Sequence, residues 1–419
     1  MTTTWQECDD CAHRLDERDA AVRCPHCAGL LSVHHAPVLT GNALREHFAT
    51  SPSPSGVWRF GAVVMPDAGA DMVSHPEGNT PLIERQQLAR WADVTRLQFK
   101  HEGHNPTGSF KDRGMTVAMT QARRVGASAV ACASTGNTSA SLAAYAAQAG
   151  LPALAIIPEG QIALGKLAQT LAYGARTVMI DGDFDDCLRL MDAVSAELGV
   201  YLVNSVNPWR IEGQKTIGLD LLRQRQWQSP DWIVLPAGNL GNTAALGKAI
   251  DEAMTWGLIT RRPRIVAVQA EGAAPFADAF ARGFDRLVPA EAHTIATAIK
   301  IGAPASYARG VRAIRSTDGL VVSVSDREIL EAKVAIDAAG VGCEPASAAT
   351  LAAIRKLRRA GTIAEDDDIV AILTGHLLKD PTIVTELHGS DSTVPGLANR
   401  PVRIANTLDA VAAVLFPAQ

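Results

Sequence analysis

The chain has seven cysteines, and four of them form two identical pairs, Cys8-x-x-Cys11 and Cys24-x-x-Cys27. Each pair lets two thiolates point at one ion from a tight turn, and the two turns together suit a tetrahedral four-thiolate site with Zn2+ as the expected ion. The surrounding segment is short and polar, so a metal would supply stability that burial cannot. Four protein ligands leave no open position for a substrate, and a structural role follows. A second constellation is HEGHNPTGSFKDRGM, residues 101–115, where Lys111 follows a turn and begins a helical stretch. A lysine there does not complement the helix dipole. An amine held among polar groups at such a place can form a Schiff base with a carbonyl. On its own, the motif reads as a solvated Lys111 paired with Asp112.

Three loops hold the other candidates. Ser134-Thr135-Gly136-Asn137-Thr138 combines hydroxyls and exposed amides at a helix start, which suits a carboxylate. Alone it reads as a helix N-cap. In Gly238-Asn239-Leu240-Gly241-Asn242, glycines three residues apart let backbone N–H groups converge on a phosphate. The loop lacks the Gly-x-Gly-x-x-Gly of a dinucleotide site and the Gly-Lys-Ser/Thr of a Walker loop, so the phosphate need not belong to a nucleotide. Thr374-Gly375-His376 brings a hydroxyl and an imidazole to a strand end and, alone, reads as a turn.

Short apolar runs alternating with Ala-rich helical stretches must position these loops. Ala129–Ala133, Ala153–Ile157, Arg176–Ile180, Tyr201–Val203, Trp232–Leu235, Arg264–Val268 and Ile369–Leu373 read as strands. A helix is predicted from about Thr138 to Ala149, stopped by Gly150 and Pro152. This alternation implies an α/β fold with parallel sheets covered by helices, and two groups of units suggest two lobes with a cleft. Ligands in such sheets bind at the carboxyl ends of strands, where the three loops lie. The expected organisation is a cysteine-rich ribbon-like segment over 1–35, a Pro-rich extended arm over 36–80, and a two-lobed catalytic unit over 81–419. Its smaller lobe covers roughly 115–205.

Composition bounds the class. The 419 residues are 47% hydrophobic and 20% charged, with a net charge of −5, which argues against a general affinity for nucleic acid or anionic membrane. The acidic start, with Glu7, Asp9 and Asp10, does not read as a signal peptide, and no run approaches a membrane span. A cytoplasmic protein with reduced thiols is expected.

Taken together, SFKDRGM around Lys111, STGNTS at 134–139, GNLGNTAA at 238–245 and TGH at 374–376 resemble the threonine synthases of the pyridoxal-phosphate fold-type II superfamily. LVNSVNPWRIEGQKT at 202–216, TIATAIKIG at 294–302 and GCEPASAAT at 342–350 also read like that family. Some of its members carry an N-terminal cysteine-rich ribbon. The resemblance implies that Lys111 holds pyridoxal 5'-phosphate as an internal aldimine and moves protons. It implies Asn137 on the cofactor's phenolic oxygen, Gly238, Asn239, Leu240, Gly241 and Asn242 around its phosphate, and Thr374 facing its ring nitrogen. Ser134, Thr135 and Thr138 would bind the substrate carboxylate; Asn204, Ser205 and Arg210 would hold the substrate phosphate. The implied reaction takes O-phospho-L-homoserine and water to L-threonine and phosphate by γ-elimination and β-addition of water. A homodimer is common in the superfamily. Leu377 stands where the family commonly has glycine, a departure that removes a permissive backbone position from the loop beyond His376. The rival readings are a threonine or serine dehydratase, a phosphoserine-using cysteate synthase, and a zinc-ribbon nucleic-acid binder on a silent scaffold.

Overall fold

Runs such as Ile233-Val-Leu235 and Val370-Ala-Ile372 are apolar on both faces, which suits strands covered by helices on each side. A computed structural model describes residues 2–159, 164–182, 184–389 and 395–416. Three sheets result. An antiparallel ribbon is built from β1 (Thr3–Cys8), β2 (Arg14–Asp16) and β3 (Leu31–Ala36) in the order β2-β1-β3. A six-stranded sheet takes β4 (Leu82–Glu84) and β5 (Arg96–His101), then β10 (Trp232–Pro236), β11 (Arg264–Ala270), β12 (Leu320–Val324) and β13 (Asp368–Leu373). Its order is β12-β11-β10-β13-β5-β4, parallel except for the edge strand β4. A four-stranded parallel sheet, β8-β7-β6-β9, consists of β6 (Ala129–Ala133), β7 (Ala153–Pro158), β8 (Arg176–Ile180) and β9 (Val200–Leu202). The seven expected strands are all present, two with the expected ends and five with ends moved by one or two residues.

The large sheet has a core on each face. Ile233, Leu235, Val370 and Ile372 pack with Phe48, Trp58, Phe60 and Trp209 on one side. Val234, Val268, Ile369 and Leu373 pack with Ile329, Ile336, Leu351 and Ile354 on the other. The arm over 36–80 is less extended than its prolines suggest. It contains the helix Gly41–Ala49 and the 3-10 turns Trp58–Val63 and Gly69–Asp71, because its apolar residues form an amphipathic turn that the core can bury. Buried Glu77 ties it down, accepting hydrogen bonds from Ser55 Oγ at 2.5 Å and Tyr145 Oη at 2.9 Å.

The ribbon docks by polar contacts. Asp9 accepts from Arg309 at 2.6 Å and Arg312 at 2.9 Å, while Gln121 Nε2 donates to the Glu17 carbonyl at 2.8 Å and Arg124 pairs with Glu17. His35 on β3 meets Glu212 at 2.8 Å, fully buried. The sequence reading runs the catalytic unit to residue 419, whereas the chain closes one compact unit at Met1–Lys379. Asp380–Gln419 forms a second, with helices Pro381–His388 and Leu408–Leu415. Among the described residues no helix is long and apolar enough to cross a membrane.

Candidate active site

Lys111 is the first residue of the helix Lys111–Arg124, preceded by the turn of residues 105–110. That turn is stitched to the end of β13. Phe110 N–H donates to the Thr374 carbonyl at 3.0 Å, His376 N–H donates to the Gly108 carbonyl at 2.9 Å, and Ser109 and Gly375 form a β-bridge. Two of the sequence motifs are thus one structure. Gly108 has φ +84°, a left-handed conformation that glycine adopts without strain. The pairing of Lys111 with Asp112 is not found. Asp112 is buried and accepts instead from Thr107 N–H at 2.7 Å, Thr107 Oγ1 at 2.6 Å and Ser141 Oγ at 2.6 Å. Burial pushes its carboxyl up to about 6 despite those donors.

The Lys111 amine lies 4.5 Å from the centre of the Phe110 ring. Removal from water and, less strongly, the neighbouring Arg210 cation lower its pKa to about 7, with Glu344 acting in the opposite direction. The amine is therefore a usable nucleophile and base near neutrality. The helix is anchored behind it: Arg113 donates to Glu102 at 2.7 and 2.9 Å and to Asp220 at 3.0 Å, and Lys100 donates to Asp220 at 2.8 Å, all without solvent. Close packing of Gly114 against Gln214 and the Arg210 carbonyl draws the Pro208–Gln224 helix onto this one.

Arg210 is fully buried, and one amino group donates to the Val203 carbonyl at 3.0 Å. Its Nε and second amino group have no partner among the described residues. An unsatisfied guanidinium is costly unless an anion meets it, and its planar fork suits a phosphate dianion. Burial lowers its pKa to about 10, leaving it charged. Asn204, half-buried, spends its Oδ1 on the Ala133 N–H at 3.0 Å, so only its amide nitrogen is left for a ligand. Ser205 is half-buried beside it.

The helix Asn137–Ala149 starts straight after β6 without a side-chain cap, as does the helix Gly241–Thr255 after β10. The N-cap reading of the first loop does not hold: Ser134 Oγ accepts from Gly136 N–H at 3.2 Å and leaves the helix amides free. Ser134, Thr135 and Thr138 are all half-exposed there. In the second loop Leu240 takes φ +63° and turns the chain into the helix. A Cβ at Gly238 would lie 3.1 Å from Ile299 Cα, so glycine permits the close approach. Asn239 is used structurally, its carbonyl and Oδ1 accepting from Ser306 and Ala305 N–H groups. Asn242 is half-exposed, and buried Thr243 Oγ1 has no partner among the described residues. An uncapped helix start with an unpartnered hydroxyl fits a phosphate group.

Glu344, absent from the sequence expectations, completes the centre. It is 4% exposed and accepts from Asn137 Nδ2 at 2.9 Å and from Thr374 Oγ1 at 3.1 Å. Ser347 Oγ lies 3.0 Å from Thr374 Oγ1 and accepts from the N–H groups of Thr374 and Gly375 at 2.8 and 3.1 Å. The residues present fit pyridoxal phosphate: a neutral-capable lysine, an amide and a hydroxyl at the centre, and a phosphate cradle.

Cys8, Cys11, Cys24 and Cys27 place their sulfurs within 4.8 Å of one another. Asp10 and His26 N–H groups reach the Cys8 and Cys24 sulfurs at 3.4 Å. The donors and geometry suit one tetrahedral ion.

Residues 73–375 match the pyridoxal-phosphate dependent enzyme family. The chain is 41% identical over 412 residues to the threonine synthase of Methanosarcina acetivorans, covering 98% of each. It is 42% identical over 378 residues to that of Methanocaldococcus jannaschii, covering 90% of this chain and 93% of that protein. The solved structure of threonine synthase from Escherichia coli is similar in fold, with a TM-score of 0.71 at 17% identity over 97% of this chain and 93% of that one.

Proposed function

Because the chain belongs to the pyridoxal-phosphate dependent enzymes and, among them, to the threonine synthases, we propose that it converts O-phospho-L-homoserine and water to L-threonine and phosphate. The observation that carries this reading is the Lys111 amine, depressed to about 7, beside a buried arginine with two unpartnered nitrogens. Bound pyridoxal phosphate supplies a carbonyl for that amine and a conjugated ring that draws electrons from the substrate's Cα. Asn137 would meet its phenolic oxygen, Thr374 its ring nitrogen, and the amides from Gly238 to Asn242 its phosphate.

The protein's own groups do the rest. Ser134, Thr135, Thr138 and the free helix amides behind them would hold the substrate carboxylate, which fixes Cα against Lys111. Lys111 takes the proton from Cα. A second proton leaves Cβ as phosphate departs from Cγ, and Arg210, Asn204 and Ser205 stabilise the departing dianion. A proton returns to Cγ, water adds its oxygen at Cβ, and Cα regains its proton. The low dielectric around Arg210 strengthens its pull on the leaving phosphate.

Metal binding at the cysteine tetrad belongs to the same proposal, with one structural Zn2+ per chain. The ribbon's Asp9 and Glu17 are engaged with arginines of the body, which supports bracing over nucleic-acid binding. The four cysteines of the tetrad, none bridged to another, favour a cytoplasmic setting. The test is to assay purified protein with phosphohomoserine, phosphoserine and threonine. Threonine formed from phosphohomoserine is expected. Phosphate release from phosphoserine alone, or deamination of threonine alone, would sink the proposal.

A further inference from the structure

Glu344 touches both side chains that are read as facing the cofactor ring, although they come from different sheets. Asn137 follows β6 of the smaller sheet, and Thr374 directly follows β13 of the larger one. Hydrogen-bond counting around Thr374 is restrictive. Ser347 Oγ already accepts two backbone N–H bonds, so its own proton goes to Thr374 Oγ1, 3.0 Å away. Thr374 has one proton, and Glu344 Oε1 takes it at 3.1 Å while the carboxylate is ionised. The hydroxyl then faces the ring nitrogen only as an acceptor, and it satisfies a protonated nitrogen. When Glu344 holds a proton, it donates to Thr374 Oγ1, and the hydroxyl is free to donate to an unprotonated nitrogen.

We propose that Glu344 is a positioning residue that shares one proton with the cofactor's ring nitrogen through the Thr374 hydroxyl. The transfer balances. The Glu344 O–H bond breaks, Thr374 Oγ1 receives that proton, and the proton of Thr374 passes to the nitrogen. The reverse shift restores the start, and no net charge is added to the site. Asn137 has two amide protons, so the one given to Glu344 leaves the other for the phenolic oxygen.

The surroundings favour a carboxyl that exchanges a proton. Burial raises its pKa, and its bonds from Asn137 and Thr374 and the charges of Lys379 and Lys111 pull the other way. Lys111 faces it from the Lys111–Arg124 helix and Lys379 from the turn after β13. The adjoining Cys343 thiol is pushed up by burial and stays neutral. Packing holds the geometry, since a Cβ at Gly375 would lie 2.4 Å from the Glu344 carboxyl carbon. The consequence for the reaction is that the ring gains a protonated nitrogen while negative charge develops at the substrate carbons, and gives the proton back afterwards.

The inference rests on Thr374 facing the ring nitrogen in the function proposed above. Its test uses the full chain loaded with pyridoxal phosphate carrying 15N in the ring, in the wild type and in Glu344→Gln, with and without L-threonine. The wild-type resonance is expected to move toward the protonated position when L-threonine is added. In Glu344→Gln, which binds the cofactor but has no acidic proton to share, it should stay in the neutral range. Turnover should fall about 100-fold in kcat with KM changed less than about threefold. Glu344→Asp, which keeps the acid, should recover part of both signals. The same 15N response in wild type and Glu344→Gln would overturn the inference while leaving the function intact. If the glutamine variant does not fold, an unmoved wild-type resonance overturns it equally. Absence of any borohydride-trapped adduct on Lys111 would instead overturn the functional reading, and this inference with it.

Discussion

Only the neutral form of Lys111 attacks a carbonyl, so its depressed pKa dictates how cofactor capture depends on pH. With a pKa of about 7 in place of 10.5, roughly half of the amine is neutral at pH 7. An ordinary lysine would be neutral in only about one molecule in 3,000 at that pH. The neutral fraction is about one tenth at pH 6 and about nine tenths at pH 8. Capture should therefore rise about fivefold from pH 6 to 7, less than twofold from 7 to 8, and then level off. The assay is stopped-flow mixing of cofactor-free protein with pyridoxal phosphate, followed at the violet edge of the visible. Dividing each rate by that of a simple alkylamine's neutral form removes the titrations of the cofactor itself. Arg210→Met takes away the nearby cation and should move the plateau to higher pH, since that charge lowers the lysine's pKa. A rate that keeps climbing tenfold per pH unit through pH 9 would refute a desolvated Lys111. An unmoved plateau in the Arg210 variant would refute the electrostatic link.

Arg210→Met should also weaken the phosphorylated substrate selectively, with kcat/KM down by roughly 30- to 4,000-fold, or ~2–5 kcal/mol; steady-state kinetics would show it, and unchanged kinetics would mean the phosphate binds elsewhere. Lys111→Ala should abolish turnover and leave circular dichroism and urea unfolding near wild type, because its role is chemical. Asp220→Ala strands Lys100 and Arg113 without one of their shared carboxylates and should cost about 3–5 kcal/mol in urea unfolding, the penalty of an uncompensated buried charge. Elemental analysis should find one zinc per chain, and chelation or Cys27→Ser should lower the unfolding midpoint before it lowers kcat.

The parallel strands were legible because each is a short apolar run, and the loops that end them announced themselves by polarity. Lys111 and Thr374 could be found because each lies at an element boundary, whereas Arg210, within the helix Pro208–Gln224, is pointed to only by the family resemblance. Glu344 could not, because its partners Asn137 and Thr374 lie 207 and 30 residues away in sequence. One signal existed. Glu344 precedes Pro345 at the N-cap of the Pro345–Arg359 helix yet makes no capping bond, so its side chain was free for other work. The ion cluster of Glu102, Arg113, Lys100 and Asp220 was also invisible, since nothing local marks a charge as buried. The helix within the arm was missed because punctuation by Pro and Ser outweighed the spacing of Leu44 and Phe48.

The bond between Asp9 and Arg309 spans 300 residues of sequence. Asp9 leaves the ribosome long before its partner is made, so this side of the ribbon spends most of synthesis with nothing to dock on, while Glu17 meets Gln121 and Arg124 much earlier. Until residues 121–124 emerge, its own three strands and its thiolates are all that keep it from unravelling. A metal bound early would turn the tetrad into a preassembled plug, ready to seat when the helix Tyr307–Ser316 emerges. Zinc supply during translation, more than zinc supply to the finished enzyme, would then govern the yield of active protein.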